Sequence, residues 1–228
     1  MHHTADDVRI VGADDLGKLF TWVDASYAVH PNMRSHTGGG MSMGTGVLHA
    51  KSSKQKLNTK SSTEAELVGV SDYVPYNIYM VNFMKAQGYA LAENVLYQDN
   101  QSAMKMEKNG RNSCTGNSRH VDIRYFFVKD RVDKKEITID YCPTHEMLAD
   151  FFTKPLQGGL FYKLRRVIMG WDHTSSLQQN QCTSSEERVG ESAKITNVAD
   201  GEQLVRGKMI EENAAMTSKI EIVNGNRM

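Results

Sequence analysis

The sequence predicts an α/β domain with a mixed five-stranded sheet, and three observations carry that reading. Two short stretches, Leu19-Phe20-Thr21-Trp22-Val23-Asp24 and Asn94-Val95-Leu96-Tyr97-Gln98-Asp99, are rich in aromatic and β-branched residues and end in acid. Between them lies a long helical stripe, with apolar side chains at Leu67, Val70, Val74, Ile78, Val81 and Met84. Strands separated by a helix are expected to be parallel neighbours, and the C-terminal ends of such strands share the usual ligand crevice of an open α/β sheet. The pattern therefore places Asp24 and Asp99 side by side.

The first strand ends at Asp24. Residues 36–42 and 46–51 predict two antiparallel strands around the turn Gly44-Thr45-Gly46. The run Gly38-Gly39-Gly40 lacks the lysine and the helix of a phosphate-cradling loop, so it predicts a flexible, lightly packed strand. Lys51, Lys54, Lys56 and Lys60 follow. They form either a solvated loop or a set of phosphate contacts.

The long helix opens at Lys60-Ser61-Ser62-Thr63-Glu64-Ala65-Glu66-Leu67. Ser61 and Glu64 have capping-box spacing, which gives Glu64 a structural task. Glu66 has none. Helical geometry puts it about 65° from the middle of the apolar stripe, against about 95° for Glu64. A carboxylate beside a core costs free energy unless a cation or donors compensate it. The pattern leaves Glu66 as either a solvated edge residue or a ligand. Pro75 is expected to bend or divide the helix, and Gly88 to cap it in the left-handed conformation.

Asn100-Gln101-Ser102-Ala103 opens a helix after Asp99, and residues 109–118, rich in Gly, Asn and Ser, predict a loop. Residues 119–132 return to helical spacing through Val121, Tyr125, Val128 and Val132. Ile137, Ile139 and Tyr141 alternate as the fifth strand. Thr144 is the expected N-cap of a further helix with Met147, Leu148, Phe151 and Phe152 on its buried face, stopped by Pro155. On that helix Asp150 and Glu146 point away from the apolar side, so Asp150 alone reads as a solvated residue. A last amphipathic helix spans 159–169, with Leu160, Leu164, Val167 and Ile168 inward. After Trp171 the composition turns Ser/Gln/Thr-rich, predicting a mostly disordered tail with weak helix near 202–216.

Basic and acidic residues balance at 27 each, so bulk charge does not mark a nucleic-acid binder. Residues 1–172 carry 21 Lys+Arg and 19 Asp+Glu, an excess too small to decide. Cys114, Cys142 and Cys182 form no CxxC pair and are odd in number. That argues against a disulfide framework or a structural zinc site and fits a reducing compartment. No apolar run approaches a membrane span, and the start does not read as a secretion signal. The expectation is an intracellular protein of the cytoplasm or nucleus.

Six blocks together resemble the ribonuclease H domain of copia-type retrotransposon polyproteins. They are Val23-Asp24-Ala25-Ser26-Tyr27, Lys54-Gln55-Lys56-Leu57, Ser61-Ser62-Thr63-Glu64-Ala65-Glu66, Tyr97-Gln98-Asp99-Asn100-Gln101-Ser102-Ala103, His120-Val121-Asp122-Ile123-Arg124-Tyr125 and Ala149-Asp150-Phe151-Phe152-Thr153-Lys154-Pro155-Leu156. Order and spacing match as well. The resemblance covers residues 8–171 as one domain, leaving 172–228 as the tail. It implies a ribonuclease H-like fold: a mixed five-stranded sheet, its first three strands antiparallel, with helices on both faces.

The superfamily's order of acids is Asp, Glu, Asp, Asp, which the resemblance carries onto Asp24, Glu66, Asp99 and Asp150. The family's glutamate precedes the apolar residue that opens the helix stripe, which selects Glu66 over Glu64. The implied chemistry is two-metal hydrolysis of the RNA strand of an RNA–DNA hybrid, leaving a 5′-phosphate and a 3′-hydroxyl. Two Mg²⁺ ions about 4 Å apart, or Mn²⁺ in their place, stabilise the entering and leaving oxygens. Magnesium favours carboxylates and keeps some of its water, so four acids suffice. By the same analogy Asp24 bridges both ions, Asp150 holds the one that activates water, and Glu66 and Asp99 hold the other.

Selectivity for RNA is expected from 2′-hydroxyl contacts and groove shape. Asn100 and Gln101 are candidate donors to the RNA strand, although helix capping also explains Asn100. Arg119, His120 and Arg124 are candidate contacts to DNA phosphates. Many ribonucleases H carry a mobile histidine before the last Asp. Copia-type sequences often lack it, and His145 is placed on the surface. In the family the domain follows a reverse transcriptase and shares a polyprotein with an integrase. Nothing of a reverse transcriptase precedes Asp24, so the expectation is a fragment, either active or a silent remnant that at most binds nucleic acid. An integrase-like reading needs a glutamate about 35 residues after the second Asp; position 134 is a lysine.

Overall fold

The computed structural model describes residues 7–109 and 119–178, without the side chains of 109, 119–122 and 125. The five main strands are β1 (Lys18–Ser26), β2 (His36–Ser42), β3 (His49–Lys54), β4 (Glu93–Gln98) and β5 (Thr138–Tyr141). The helices are α1 (Ser62–Ala86), α2 (Gln101–Asn109), α3 (Arg119–Asp133), α4 (Asp150–Thr153) and α5 (Gly158–Met169). The sheet runs β3-β2-β1-β4-β5, antiparallel from β3 to β1 and parallel from β1 to β5. This is the mixed sheet the sequence predicts. Most of the loop 109–118 and the tail from 179 onward lie outside the described residues, as do the side chains of Arg119, His120, Val121 and Tyr125.

β1 is central and buried on both faces, which suits its β-branched and aromatic content. Leu19 and Val23 join Val70, Tyr73 and Val74 of α1, Met104 of α2 and Val128 of α3 in one core. Trp22 faces the other way, with Met147, Leu148, Leu164 and Val167 in a second core under α4 and α5. There Trp22 of β1 stacks on Tyr97 of β4 with ring centroids 5.3 Å apart. Helices therefore cover both faces, and no described helix is long and apolar enough to cross a membrane.

α1 runs unbroken through Pro75 rather than dividing there. Pro75 is exposed, so the hydrogen bond it cannot donate is lost on the outer side, where water can replace it. The C-terminus closes in full Schellman geometry: Tyr89 N–H donates to Met84 O (2.9 Å) and Gly88 N–H to Lys85 O (3.0 Å), with Gly88 at φ 87°.

The hairpin partner of β2 begins at His49, three residues later than the sequence pattern suggests. Gly44–Thr45 pairs instead with Gly12–Ala13. Val47 is buried in the second core and donates its N–H to Ile168 O (3.1 Å), so that residue packs against the end of α5 instead of extending the strand.

The glycine run of β2 is a strand, but it is not lightly packed. A Cβ on Gly39 would lie 2.4 Å from the Tyr73 ring, and one on Gly38 would lie 2.5 Å from Thr153 Cγ2. The glycines let α1 approach one face of β2 and α4 the other. Tyr73 cannot swing aside easily, because its hydroxyl bonds His49 O (3.1 Å) and its ring is fully buried. Gly39→Ala is expected to cost about 3 kcal/mol of stability through overpacking, read from the urea midpoint at constant m-value.

The segment after β5 departs most from expectation. Instead of one helix from Thr144, it forms a 3-10 turn at Thr144–Glu146 and then the single turn α4. Thr144 caps neither. Met147, Leu148 and Ala149 between them are all fully buried, so helical-wheel angles do not apply across the segment. As a result Asp150 and Glu146, expected on a solvated face, are both buried. Farther on, Thr174–Leu177 form a 3-10 turn whose Leu177 joins the second core.

Candidate functional site

β1 and β4 are parallel with Trp22 opposite Tyr97. Two residues on along each strand direction, Asp24 and Asp99 come out together at the C-terminal edge. Glu66 reaches the same place from the first turns of α1. Ligand oxygens of Asp24, Glu66 and Asp99 all lie within 4.8 Å of one another.

The capping of α1 explains why the second glutamate of its opening reaches in and the first does not. Ser61 Oγ accepts from Glu64 N–H (3.2 Å), and Glu64 Oε2 accepts from Lys60 N–H (2.7 Å). Glu64 is committed to the helix end. Gln55 fixes the same turn from β3's end: its Nε2 donates to Ala65 O (2.8 Å) and Thr37 Oγ1 (3.0 Å).

Asp150 enters from α4, which Gly38 allows to sit close on β2. Serines hold the last carbonyls of this one-turn helix: Ser52 Oγ donates to Phe152 O (2.7 Å) and Ser26 Oγ to Thr153 O (3.1 Å). Thr153 Oγ1 donates to Asp24 Oδ2. Lys154 joins the last two acids, with Nζ 2.7 Å from Asp150 Oδ1 and 3.6 Å from Asp24 Oδ1. Asp24, Glu66 and Asp99 thus cluster, and Asp150 is joined to that cluster at Asp24 through Lys154.

The electrostatics are those of crowded anions. Burial, then Asp24 and Asp99, pushes the Glu66 carboxyl well above the usual range; the Ala25 backbone N–H and Lys154 only partly offset this. Burial and Asp24 likewise raise Asp99. Burial raises Asp150 to about 6, opposed by its bond to Lys154. Lys154 is pushed down by burial, but the surrounding carboxylates outweigh that and raise it overall. Glu66 Oε2 is buried and meets no hydrogen-bond donor among the described residues. An all-oxygen donor set with an orphaned buried carboxylate oxygen fits a hard divalent cation.

Around this core the other predicted residues separate. Asn100 Oδ1 caps α2, accepting from Ser102 N–H (3.0 Å) and Ala103 N–H (3.1 Å). Gln101 is exposed at the start of that helix. Arg124 pairs with Asp72 of α1, tying α3 to α1. His145 is exposed, its Nε2 3.4 Å from Glu146 Oε1. Thr144, expected as a cap, donates instead to Asp99 Oδ2 (3.2 Å). Sequence reasoning missed Thr153 and Lys154 as parts of the site. The i,i+4 spacing of Asp150 and Lys154 was the available signal.

The sheet order β3-β2-β1-β4-β5, with helices on both faces and acids gathered where β1 and β4 end, is the mixed five-stranded architecture expected from the sequence. The chain's homologues are retrotransposon Pol polyproteins. It is 27% identical over 165 residues to the retrovirus-related Pol polyprotein from transposon TNT 1-94 of Nicotiana tabacum, covering 72% of this chain and 12% of that polyprotein. It is 27% identical over 139 residues to the transposon Ty1-NL2 Gag-Pol polyprotein of Saccharomyces cerevisiae, covering 61% and 8%. The chain thus spans 12% or less of the length of these relatives. No protein-family model matches it. Similar solved structures include the N-terminal RNase H domain of a Mycobacterium tuberculosis protein, at TM-score 0.36 and 13% identity over 58% of this chain and 92% of that one. Another is the prototype foamy virus protease–reverse transcriptase, at TM-score 0.39 and 13% identity over 70% and 21%.

Proposed function

We propose that this chain is the ribonuclease H segment of a copia-type retrotransposon polyprotein, working beside a reverse transcriptase and an integrase. Its reaction is hydrolysis of the RNA strand of an RNA–DNA hybrid. The observation that carries this reading is the meeting of Asp24, Glu66 and Asp99 within 4.8 Å, with Asp150 tied to Asp24 through Lys154.

Asp24, Glu66, Asp99 and Asp150 are the residues that would hold Mg²⁺ or Mn²⁺. The metal would supply charge stabilisation at the phosphorus and a more acidic water. The chain's own contribution is rigid placement. Register between β1 and β4 fixes two acids, the α1 cap fixes the third, and the glycine-seated α4 fixes the fourth. Thr153 orients one oxygen of Asp24 and Thr144 one oxygen of Asp99. Gln101, exposed two residues beyond Asp99, would meet the RNA strand, with selectivity resting on the 2′-hydroxyl and groove shape. Arg119 and His120 remain candidates for the DNA strand's phosphates.

A second reading is a silent remnant that keeps the fold and at most binds nucleic acid. What favours it is the Lys154 ammonium, which already bridges two of the acids. The test is incubation of the full chain with labelled RNA–DNA hybrid, DNA duplex and single-stranded RNA, with and without Mg²⁺. Cleavage confined to the RNA of the hybrid, and only with metal, is the expected result. Hybrid bound but uncut with both Mg²⁺ and Mn²⁺ selects the remnant; metal-independent cleavage removes both readings.

A further inference from the structure

The four acids do not present one uniform site. Asp24, Glu66 and Asp99 form a cluster of carboxylates, and Glu66 Oε2 meets no donor among the described residues. At the other edge Asp150 and Asp24 already share a cation of the chain's own. Lys154 Nζ lies 2.7 Å from Asp150 Oδ1 and 3.6 Å from Asp24 Oδ1. An ion coordinated by those same two oxygens would have to stand almost where the ammonium stands. Two like charges at such a distance beside buried carboxylates repel strongly, so they cannot share the place.

Lys154 also has somewhere to go. It is the residue that ends α4, in an extended conformation (φ −124°, ψ 144°). Its side chain is 37% exposed, whereas Asp24 and Asp150 are 2% and 3% exposed. The carboxylates are anchored by Thr153 and the seat of α4; among the described residues the ammonium is held by the ion pairs themselves, at the end of four flexible methylenes.

We propose that Lys154 is a displaceable internal competitor for the divalent cation at the Asp24–Asp150 edge, setting the concentration at which that edge fills. This rests on the reading of the four acids as a metal site. It divides that site into two unequal halves. The Asp24–Glu66–Asp99 half fills first, and the Asp24–Asp150 half fills only as Lys154 swings to solvent. The chain would then be resting at low Mg²⁺ and complete only at higher Mg²⁺, which accommodates both an intact acid set and a bridging lysine.

The test is calorimetric titration of Mg²⁺, without nucleic acid, into the full chain and its variants. In the wild type two binding steps of different affinity are expected. Lys154→Met should tighten the weaker step by about tenfold, a size usual for coupling between sites, and leave the tighter step within about twofold. Lys154→Arg, which keeps the charge, should leave the weaker step weak. Lys154→Gln serves in place of methionine if that variant does not fold, with the same ordering expected. A melting curve without divalent ions gives an independent readout: Lys154→Met should melt lower than wild type and regain more on adding Mg²⁺. If Lys154→Met binds Mg²⁺ no more tightly, while Asp24→Asn abolishes binding, the competitor role is wrong and the metal site stands. If the wild type binds no Mg²⁺ and Asp24→Asn changes nothing, the metal site fails and the competitor role with it.

Discussion

Glu66→Gln is expected to lower Mg²⁺-dependent cleavage of the hybrid by about 10²–10³-fold, the usual cost of losing one preorganised charge-stabilising group. Without divalent ions the same variant should melt at a higher temperature than wild type. The opposite signs come from one side chain. Glu66 is buried, and both that burial and the neighbouring Asp24 and Asp99 make its ionised form costly in the folded protein. Its Oε2 finds no donor among the described residues. Glutamine keeps the shape, loses the charge, and can turn its amide N–H toward Asp24 or Asp99. Relief of an unsatisfied buried group is worth about 1–3 kcal/mol, or about 2–4 °C per kcal/mol in a domain of this size. Cleavage rates and calorimetry in EDTA check the two halves together. A glutamate serving only the fold would lose stability on substitution and leave cleavage alone.

That the two glutamates of α1's opening could be told apart in the sequence is a matter of local geometry. Capping-box spacing assigns Glu64 to the helix end, and the helical angle brings Glu66 toward the core. Both effects act within one turn of chain. Asp24 and Asp99 were visible for a similar reason, as acids closing two apolar strands. Asp150 is not readable as a buried residue, because the spacing predicts a regular helix where the chain makes a 3-10 turn and a single α-turn. The three glycines of β2 show the same boundary. Their place in a strand follows from the local pattern, but Tyr73 and Thr153, which make their lack of side chains necessary, arrive from distant parts of the sequence. Lys154 is an intermediate case: its pairing with Asp150 is a spacing rule, whereas its reach to Asp24 exists only in three dimensions.

The second large effect lies outside the acid cluster. Glu107→Gln is expected to stabilise the protein increasingly as pH rises from about 5 to about 8, with little difference at the acid end. Glu107 of α2 is fully buried, and neither carboxylate oxygen has a described partner at hydrogen-bonding geometry. Burial raises its carboxyl to about 8; the Gln98 amide and Lys108 are close enough to oppose this only in part. Below its ordinary value near 4.5 both folded and unfolded chains carry the proton, and the site has no pH dependence. Between 4.5 and about 8 the unfolded chain has lost the proton while the folded one keeps it, so stability falls as pH rises. The slope is at most about 1.4 kcal/mol per pH unit, and it levels off once the folded carboxyl also ionises. Glutamine mimics the protonated acid and removes that slope. Urea denaturation of both proteins at pH 5, 6.5 and 8 measures it directly; parallel curves would put the charged oxygen in water instead of the core.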